Sequence, residues 1–497
     1  MTQSARTAAH RFGLGEPDLA VVGADPRAWL VAQLGPLEGP PGSPPGAGRD
    51  PLVDSSARLR FARALRARRR KAGSAAEPEA AKAPLERAGG RGVARIAGVG
   101  GLGRRPPAEG RAVVRLPLPD ATSDEPLREA LAADVIARIR RALDTPRPFA
   151  ERLLRFFGNH FAVSAAKPAV RWLVAPFERE ALGPRLAGPF VDLLRAAVTH
   201  PAMLVYLDNT RSIGPASPAG RKRGTGLNEN LAREVLELHT LGVRGGYTQA
   251  DVQALAAILT GWSVDPERGE TRFFARRHEP GDKTLLGTRI PEGGADELEA
   301  ALTLLATHPA TAKHLATKLG RHFVSDEPPA ALVEALASTY TRTHGDLTAV
   351  CRTLVEHPAA WAGPPRKLRL PEDWALTALR LLALPETTDR ELVRAVDRFA
   401  RLAGHPPGTP PSPAGFSDVA ADWLGADALL TRIEWATLVG RRAAGAVRAH
   451  GASTPRLLAR RAFGDALSAT TDAALLAAPN DATAFALLLV SPEVMYR

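Results

Sequence analysis

Apolar residues recur at helical spacing along most of the chain, and prolines and glycines interrupt them at short intervals. A first helix is expected from about Asp18 to Leu34, after the string HRFGLG at residues 10–15. GPLEGPPGSPPGAG then reads as a linker, because neither Pro nor Gly sustains a helix interior. Arg58 to Ala72 returns to helical spacing. Residues 73–121, rich in Gly, Ala, Pro and Arg, predict a flexible insertion with one short strand near Ala112–Leu118. Ser123, Asp124, Glu125 and Pro126 form a helix start: a capping hydroxyl, acids in the first turn and an early proline. Leu131, Val135, Ile136, Ile139 and Leu143 continue that helix until Pro146 and Pro148 end it.

The alternation of helix and breaker runs on almost to residue 497, with no β-α-β rhythm and no fixed repeat. The expected fold is therefore mainly α, more than half helix with at most a few short strands. It divides into an N-terminal helical segment (1–34) and a linker with a flexible Gly/Ala/Pro/Arg-rich insertion and one basic helix (35–121). A multi-helical globular core (122–362) and a helical C-terminal subdomain (363–497) follow.

The stretch LNENLAREVLELHTLG interrupts the simple pattern. With Leu227 at zero and about 100° per residue, Leu231, Val235, Leu238 and Leu241 form an apolar arc. Glu229, Asn230, Arg233 and Glu237 lie opposite. Glu234 falls inside the arc, where a carboxylate is costly unless paired or hydrogen-bonded, so it is expected to be inaccessible and to meet a cation, a metal or several hydrogen-bond donors, an arginine or histidine from another element before the others. Asn228 and His239 share one margin but stand roughly 16 Å apart along the axis. A structural pairing that locks two helices accounts for the acids. So does a site in which Asn230, Glu234 and Glu237 aim at one point, with carboxyl groups tuned for acid–base work or for Mg²⁺ or Ca²⁺. His239 follows Glu237 by two positions, which is not the i+3 or i+4 spacing of a helical zinc motif.

Other polar groups are read more plainly. GYTQAD gives a turn and a helix start, with Thr248 as cap and Asp251 at the third helical position. HEPGDK sets His278, Asp282 and Lys283 in one polar turn. In FFGNHF, His160 is flanked by phenylalanines and suits a satisfied core histidine. His314, Lys318 and His322 share one helix face and are expected to be solvated. Cys351, in an apolar helical context without a base, is expected to be an inert core thiol. No nucleophile elbow, phosphate loop, HExxH or dinucleotide fingerprint is present, and no haem motif.

At 497 residues, 45% hydrophobic and 24% charged, the chain is globular rather than disordered. The single cysteine excludes an internal disulfide framework. The net charge of +12 invites a nucleic-acid reading, but the arginines are spread thinly and no aromatic platform accompanies the basic run at residues 58–71, so nucleic acid is not the expected partner. No apolar run is long enough to span a membrane. The N-terminus lacks a signal-peptide core, which points to the cytoplasm unless the chain is exported with a partner.

Several strings together resemble the bacterial domain of unknown function 1800 family: HRFGLG, FFGNHFAVS, PAMLVYLDN, LNENLAREVLELHTLGVRGGYTQADV, LTGW, HEPGDKTLLG, HPATAKHLATKLGRHFVSDEPP and LLLVSPEVMYR. They cover nearly the whole chain outside the insertion. The resemblance implies a mainly helical protein and no established activity. It also implies a neighbour, since genes of this family commonly adjoin those of a sulfatase-like family (domain of unknown function 1501). The chain departs from the family's WHNHF at Phe157, Gly158, Asn159, His160 and Phe161, losing one histidine. Gly415 and Phe416 stand where the family has glycine and tryptophan.

Two functions follow as expectations. The first is a hydrolase or transferase for an anionic or glycan substrate, with Glu234, Glu237, His160 and His278 as catalytic groups. Asn159, Asn228, Asn230, Arg233, His239, Tyr247, Asp282 and Lys283 would bind the ligand. The alternative is a non-catalytic helical partner of the sulfatase-like protein, which rests on association rather than chemistry.

Overall fold

A computed structural model describes residues 3–37, 53–75, 118–119, 121–223, 226–384, 387–450 and 453–497. Almost all of the expected insertion, including the expected strand up to residue 117, lies outside the described residues. The fold is mainly α, with 63% helix and 4% strand, as the periodicity predicts. The strands form two antiparallel hairpins, Trp262–Val264 with Thr271–Phe273 and Lys283–Leu285 with Thr288–Ile290.

The N-terminus corrects the expected first helix. HRFGLG closes an earlier helix, Gln3–Arg6 continued by a π segment Thr7–Phe12, and His10, Arg11 and Phe12 are buried. The region from Asp18 to Leu34 is broken in two, a 3-10 turn Leu19–Val22 and a helix Pro26–Val31. Asp18 and Asp25 each cap a separate start, accepting bonds from Ala20 N and from Arg27 N and Ala28 N. Two caps seven positions apart make two short helices.

Apolar side chains gather into two main clusters. One draws on residues between Ala5 and Ala360. The other runs from Leu368 to Met495 and takes in Leu14, Ile139 and Ala142. The helix Glu125–Asp144 thus links a third, small cluster, where Leu127 and Ala130 meet Phe61 and Leu65, to the second. Arg497 N donates to Lys367 O at 2.9 Å, so the last residue returns to the start of the C-terminal unit. Within that unit the helices Ala426–His450 and Asp481–Leu489 touch backbone to backbone. A Cβ on Gly440 would lie 2.6 Å from Ala482 O.

Candidate functional site

The helix carrying the predicted carboxylates begins later and turns wider than the sequence suggests. Leu227, Asn228 and Glu229 precede it, and Asn228 Oδ1 accepts from Asn230 N at 3.0 Å. Asn230–Glu234 is α-helical and Val235–His239 is a π turn. Burial follows that geometry. The pairs Leu231/Ala232, Val235/Leu236 and His239/Thr240 are buried, while Arg233/Glu234 and Glu237/Leu238 between them are half-exposed. The repeat is four residues, so a wheel drawn at 3.6 residues per turn misplaces its later members.

Glu234 is consequently half-exposed, not inaccessible, and it has no hydrogen bond or ion pair among the described residues. The expected cation from another element is absent there. Partial burial, then the charge of Glu237, raises its carboxyl pKa, and Arg233 only partly offsets this. Arg233 is occupied elsewhere: it bonds Glu229 at 3.1 Å, Glu237 at 3.4 Å and Gln249 at 3.0 Å. The Tyr247 hydroxyl is pushed up to about 12 by burial and by its hydrogen bond to Glu237. Tyr206 is raised by burial and by Glu234. The result is an open polar ledge with two tyrosines, an exposed Asn230 and one carboxyl without a donor. Thr248 and Asp251 form the expected capping box beside it.

The histidines lie behind the ledge. His160 is buried, and its Nε2 meets His239 O at 3.1 Å, while His314 Nε2 meets Leu238 O at 3.0 Å. Both rings serve the carbonyls at the helix C-terminus, where N–H donors are wanted. His239 is buried with neither ring nitrogen bonded among the described residues, and burial with the nearby Lys318 charge pushes it down to about 3. The expectation of a solvated face at His314, Lys318 and His322 is corrected. His322 is buried, with Nδ1 3.1 Å from Asp418 Oδ1 and Nε2 3.0 Å from Arg152 Nη2, because this face packs on the C-terminal unit.

His278 and Lys283 are also buried. Both contact Glu297, at 3.0 Å and 2.7 Å, and Glu297 accepts from Gly293 N and Gly294 N as well. Burial opposes the Glu297 charge, but the bonds from Lys283, Gly293 and His278 outweigh it and hold the carboxyl below its ordinary range. Asp282 stays outside, bonded to Arg289 and to Glu292 N. None of these partners lies on the helix Asn230–His239. Cys351 is buried, and burial pushes its thiol up to about 12.

Asn159 belongs to a region that the sequence reading did not assemble. Its Nδ2 donates to Phe416 O at 2.9 Å and its Oδ1 accepts from Phe416 N at 2.7 Å. Gly415 has φ +83°, and a Cβ there would sit 2.5 Å from Asn159 O, so the loop can press this closely only with glycine. Asn159 helps to floor a cleft between the two units. The cleft opens into a cavity of about 420 Å³, and at its base is a smaller one of about 70 Å³. Around the base Arg138 bonds Glu372, Arg141 bonds Glu151 at 2.7 Å, and Arg155 lies 3.2 Å from Glu372 and 3.6 Å from Asp373. Arg497 reaches Asp373 at 3.2 Å. Glu372 and Asp373 open a helix, Pro371–Leu382, that is buried along its whole length, and the sequence reading did not single them out.

Among the described residues no three His, Cys, Asp or Glu side chains are placed to share a metal ion, and no helix is long and apolar enough to cross a membrane. No curated protein and no solved structure matches the chain. The family described as "Protein of unknown function (DUF1800)" matches residues 7–496, nearly the whole length, and the chain belongs to that family.

Proposed function

We propose that the protein is an acid–base enzyme, a hydrolase or transferase, acting on a glycan-type substrate laid along the ledge. The observation that carries this reading is Glu234, an accessible carboxyl without a hydrogen-bond donor and with its pKa raised beside Glu237. A raised carboxyl can hold a proton to give to a leaving oxygen, while a neighbouring ionised one accepts. Glu237, oriented by Arg233 and Tyr247, fills the second role. The tyrosines, Asn230 and Gln249 offer rings and amides to sugar faces and hydroxyls. An anionic substrate is disfavoured because Glu229, Glu234 and Glu237 would repel it. His160 acts from behind by bonding the helix end. His278, Lys283 and Asp282 fix the neighbouring hairpin. The test is reducing-end release from bacterial polysaccharides. Glu234→Gln should lower turnover at least about 100-fold while the melting temperature holds. Undiminished turnover in that variant would overturn the reading.

A second reading is favoured by a separate feature. Leu429, Leu430 and Ile433 are 36%, 54% and 50% exposed within one arc of the helix Ala426–His450. An apolar arc of this kind suits a partner protein, and a sulfatase-like protein of the domain of unknown function 1501 family is the partner proposed. Co-purification lost in Ile433→Glu would support it. Co-purification unchanged in that variant would count against this face.

A further inference from the structure

Leu131, Val135 and Ile139 recur on one face of the helix Glu125–Asp144, the pattern of a stripe meant for a core. Yet Leu131 and Val135 are only half-buried. Together with Val174, Val396 and Pro407 from the opposite walls they line the cavity of about 420 Å³. That volume falls within the range of small-molecule sites, and interfaces between units are where such sites concentrate. At roughly the 30 Å³ that one water occupies, it holds on the order of ten to fifteen non-hydrogen atoms.

The smaller cavity shares Arg138, Glu178 and Glu372 with the larger, so the two form one cleft with an apolar body and a charged floor. On that floor the carboxylates already have counter-charges. Glu372 takes two bonds from Arg138, and Asp373 takes one from Arg497. The guanidinium of Arg155 is less well served. Its side chain is 7% exposed; Nε stands 3.4 Å from Glu151 and Nη1 3.2 Å from Glu372 and 3.6 Å from Asp373, but Nη2 has neither an ion-pair nor a hydrogen-bond partner among the described residues. Nδ1 of His405, also on the floor, has none either. Buried donors of a charged group are rarely left unmet. What Nη2 lacks is an acceptor of its own, and a charged acceptor bonds a guanidinium more strongly than a neutral one, the more so away from water.

We propose that this cleft binds a small amphipathic carboxylate, its head on the free Nη2 of Arg155 and its apolar body along Leu131, Val135 and Ile139. The site is separate from the ledge and does not depend on the reading of Glu234. A ligand of this class has one negative charge and a hydrocarbon portion of about ten carbons, in keeping with the cavity volume. A cation is refused because every nearby carboxylate is paired, and a fully polar ligand would leave the apolar walls without a partner.

The experiment is isothermal titration of the full chain with decanoate and with decan-1-ol, which share the body and differ in the head. Decanoate should bind the wild type at least tenfold more tightly than decanol. Val135→Trp, which fills the body of the cleft without touching the ion pairs, should weaken decanoate at least tenfold. Arg155→Gln should erase the preference for decanoate while decanol binding persists. Should Arg155→Gln fail to fold by circular dichroism, the wild-type ratio and Val135→Trp still decide. Equal affinity for the two probes would overturn the assignment of the head to Arg155. Decanoate binding untouched by Val135→Trp would place the ligand elsewhere and overturn the site, as would heat from neither probe.

Discussion

The ledge and the cleft floor both gather carboxylates, and they treat them in opposite ways. On the ledge, Glu234 is half in water with Glu237 beside it and no donor of its own, so its carboxyl is raised. On the floor, Glu372 and Asp373 are almost wholly buried, which alone would raise them further. The guanidinium groups of Arg138, Arg152, Arg155 and Arg497 reverse the sign and hold both carboxyls low. Burial therefore does not set protonation by itself; the count and aim of the counter-charges do. The functional consequence follows. A raised, accessible carboxyl keeps its proton to a higher pH than an ordinary one and is the better placed of the two to exchange it. The floor groups cannot, since burial pushes His405 and His322 down to about 4 and the acids stay ionised. The two regions therefore differ in how their carboxylates are served: paired on the floor, left without a donor on the ledge.

The largest expected effect breaks the floor. Asp373→Ala leaves Arg152, Arg155 and Arg497 without their shared carboxylate and should cost about 3–5 kcal/mol in urea unfolding. The same pairs set the acid limb. Folded carboxyl values below the unfolded ones give stability that is complete above about pH 4. It drains as pH falls through the folded values, such as that of Asp418 at about 2. Flat stability between pH 5 and 2 would refute the pairing of the floor carboxylates.

A middling effect is expected at the join. Asn159→Ala removes both bonds to the Phe416 backbone and should cost about 1–3 kcal/mol. Chemical unfolding checks it, and a change under about 0.5 kcal/mol would mean that the Gly415–Phe416 loop is held by its glycine conformation alone.

The histidines behind the ledge offer a finer probe. His239 is neutral in the fold, with a value near 3 against 6.5 when free. The unfolded chain therefore takes up a proton first, and stability should fall from about pH 6.5 downward. His239→Phe should be neutral or stabilising by about 1 kcal/mol at pH 7, since an unpaired buried polar ring is replaced by an apolar one. It should also flatten the pH dependence between 6.5 and 4, and a slope unchanged in melts across that range would contradict the burial of this ring.

Local chemistry was the legible part of this chain. Thr248 and Asp251 form their box and Cys351 lies in the core, because caps and apolar runs depend on residues a few positions apart. The expected start near Ser123 is kept, but Asp124 takes the cap position without a side-chain bond and Ser123 Oγ only accepts from Glu125 N. The phase of Glu234 was misread because a π turn changes the period within a single helix, and nothing in VLELH announces that. The cleft was illegible for a different reason. Glu372 meets Arg138 across 234 positions, and Asn159 meets Phe416 across 257. Pairings at that separation leave no periodic trace, and the arginines on the floor look like any others in a chain with 65 basic residues. The half-exposed stripe of Leu131 and Val135 shows the limit plainly: the spacing marks an apolar face but not whether protein or a cavity lies opposite.

The smallest expected effect on stability completes the contrast. Glu234→Gln removes a charge that has no counter-charge of its own and repels Glu237, at a position half open to water. With a folded value above the unfolded one, the ionised form is the disfavoured one in the fold. Its contribution is therefore most favourable at low pH and is lost as pH rises through the raised value. Removing the charge should leave stability at pH 7 within about 0.5 kcal/mol of wild type, or slightly above it, as for substitutions outside a packed or paired environment. The gap between this variant and Asp373→Ala, measured in the same urea titration, is the quantity that tests the comparison. A cost for Glu234→Gln approaching that of Asp373→Ala would mean that the ledge carboxyl is held by a strong donor, and it would then be a structural anchor rather than a proton-transfer group. A negligible cost joined to lost polysaccharide turnover is the outcome expected of a group kept unpaired for reaction.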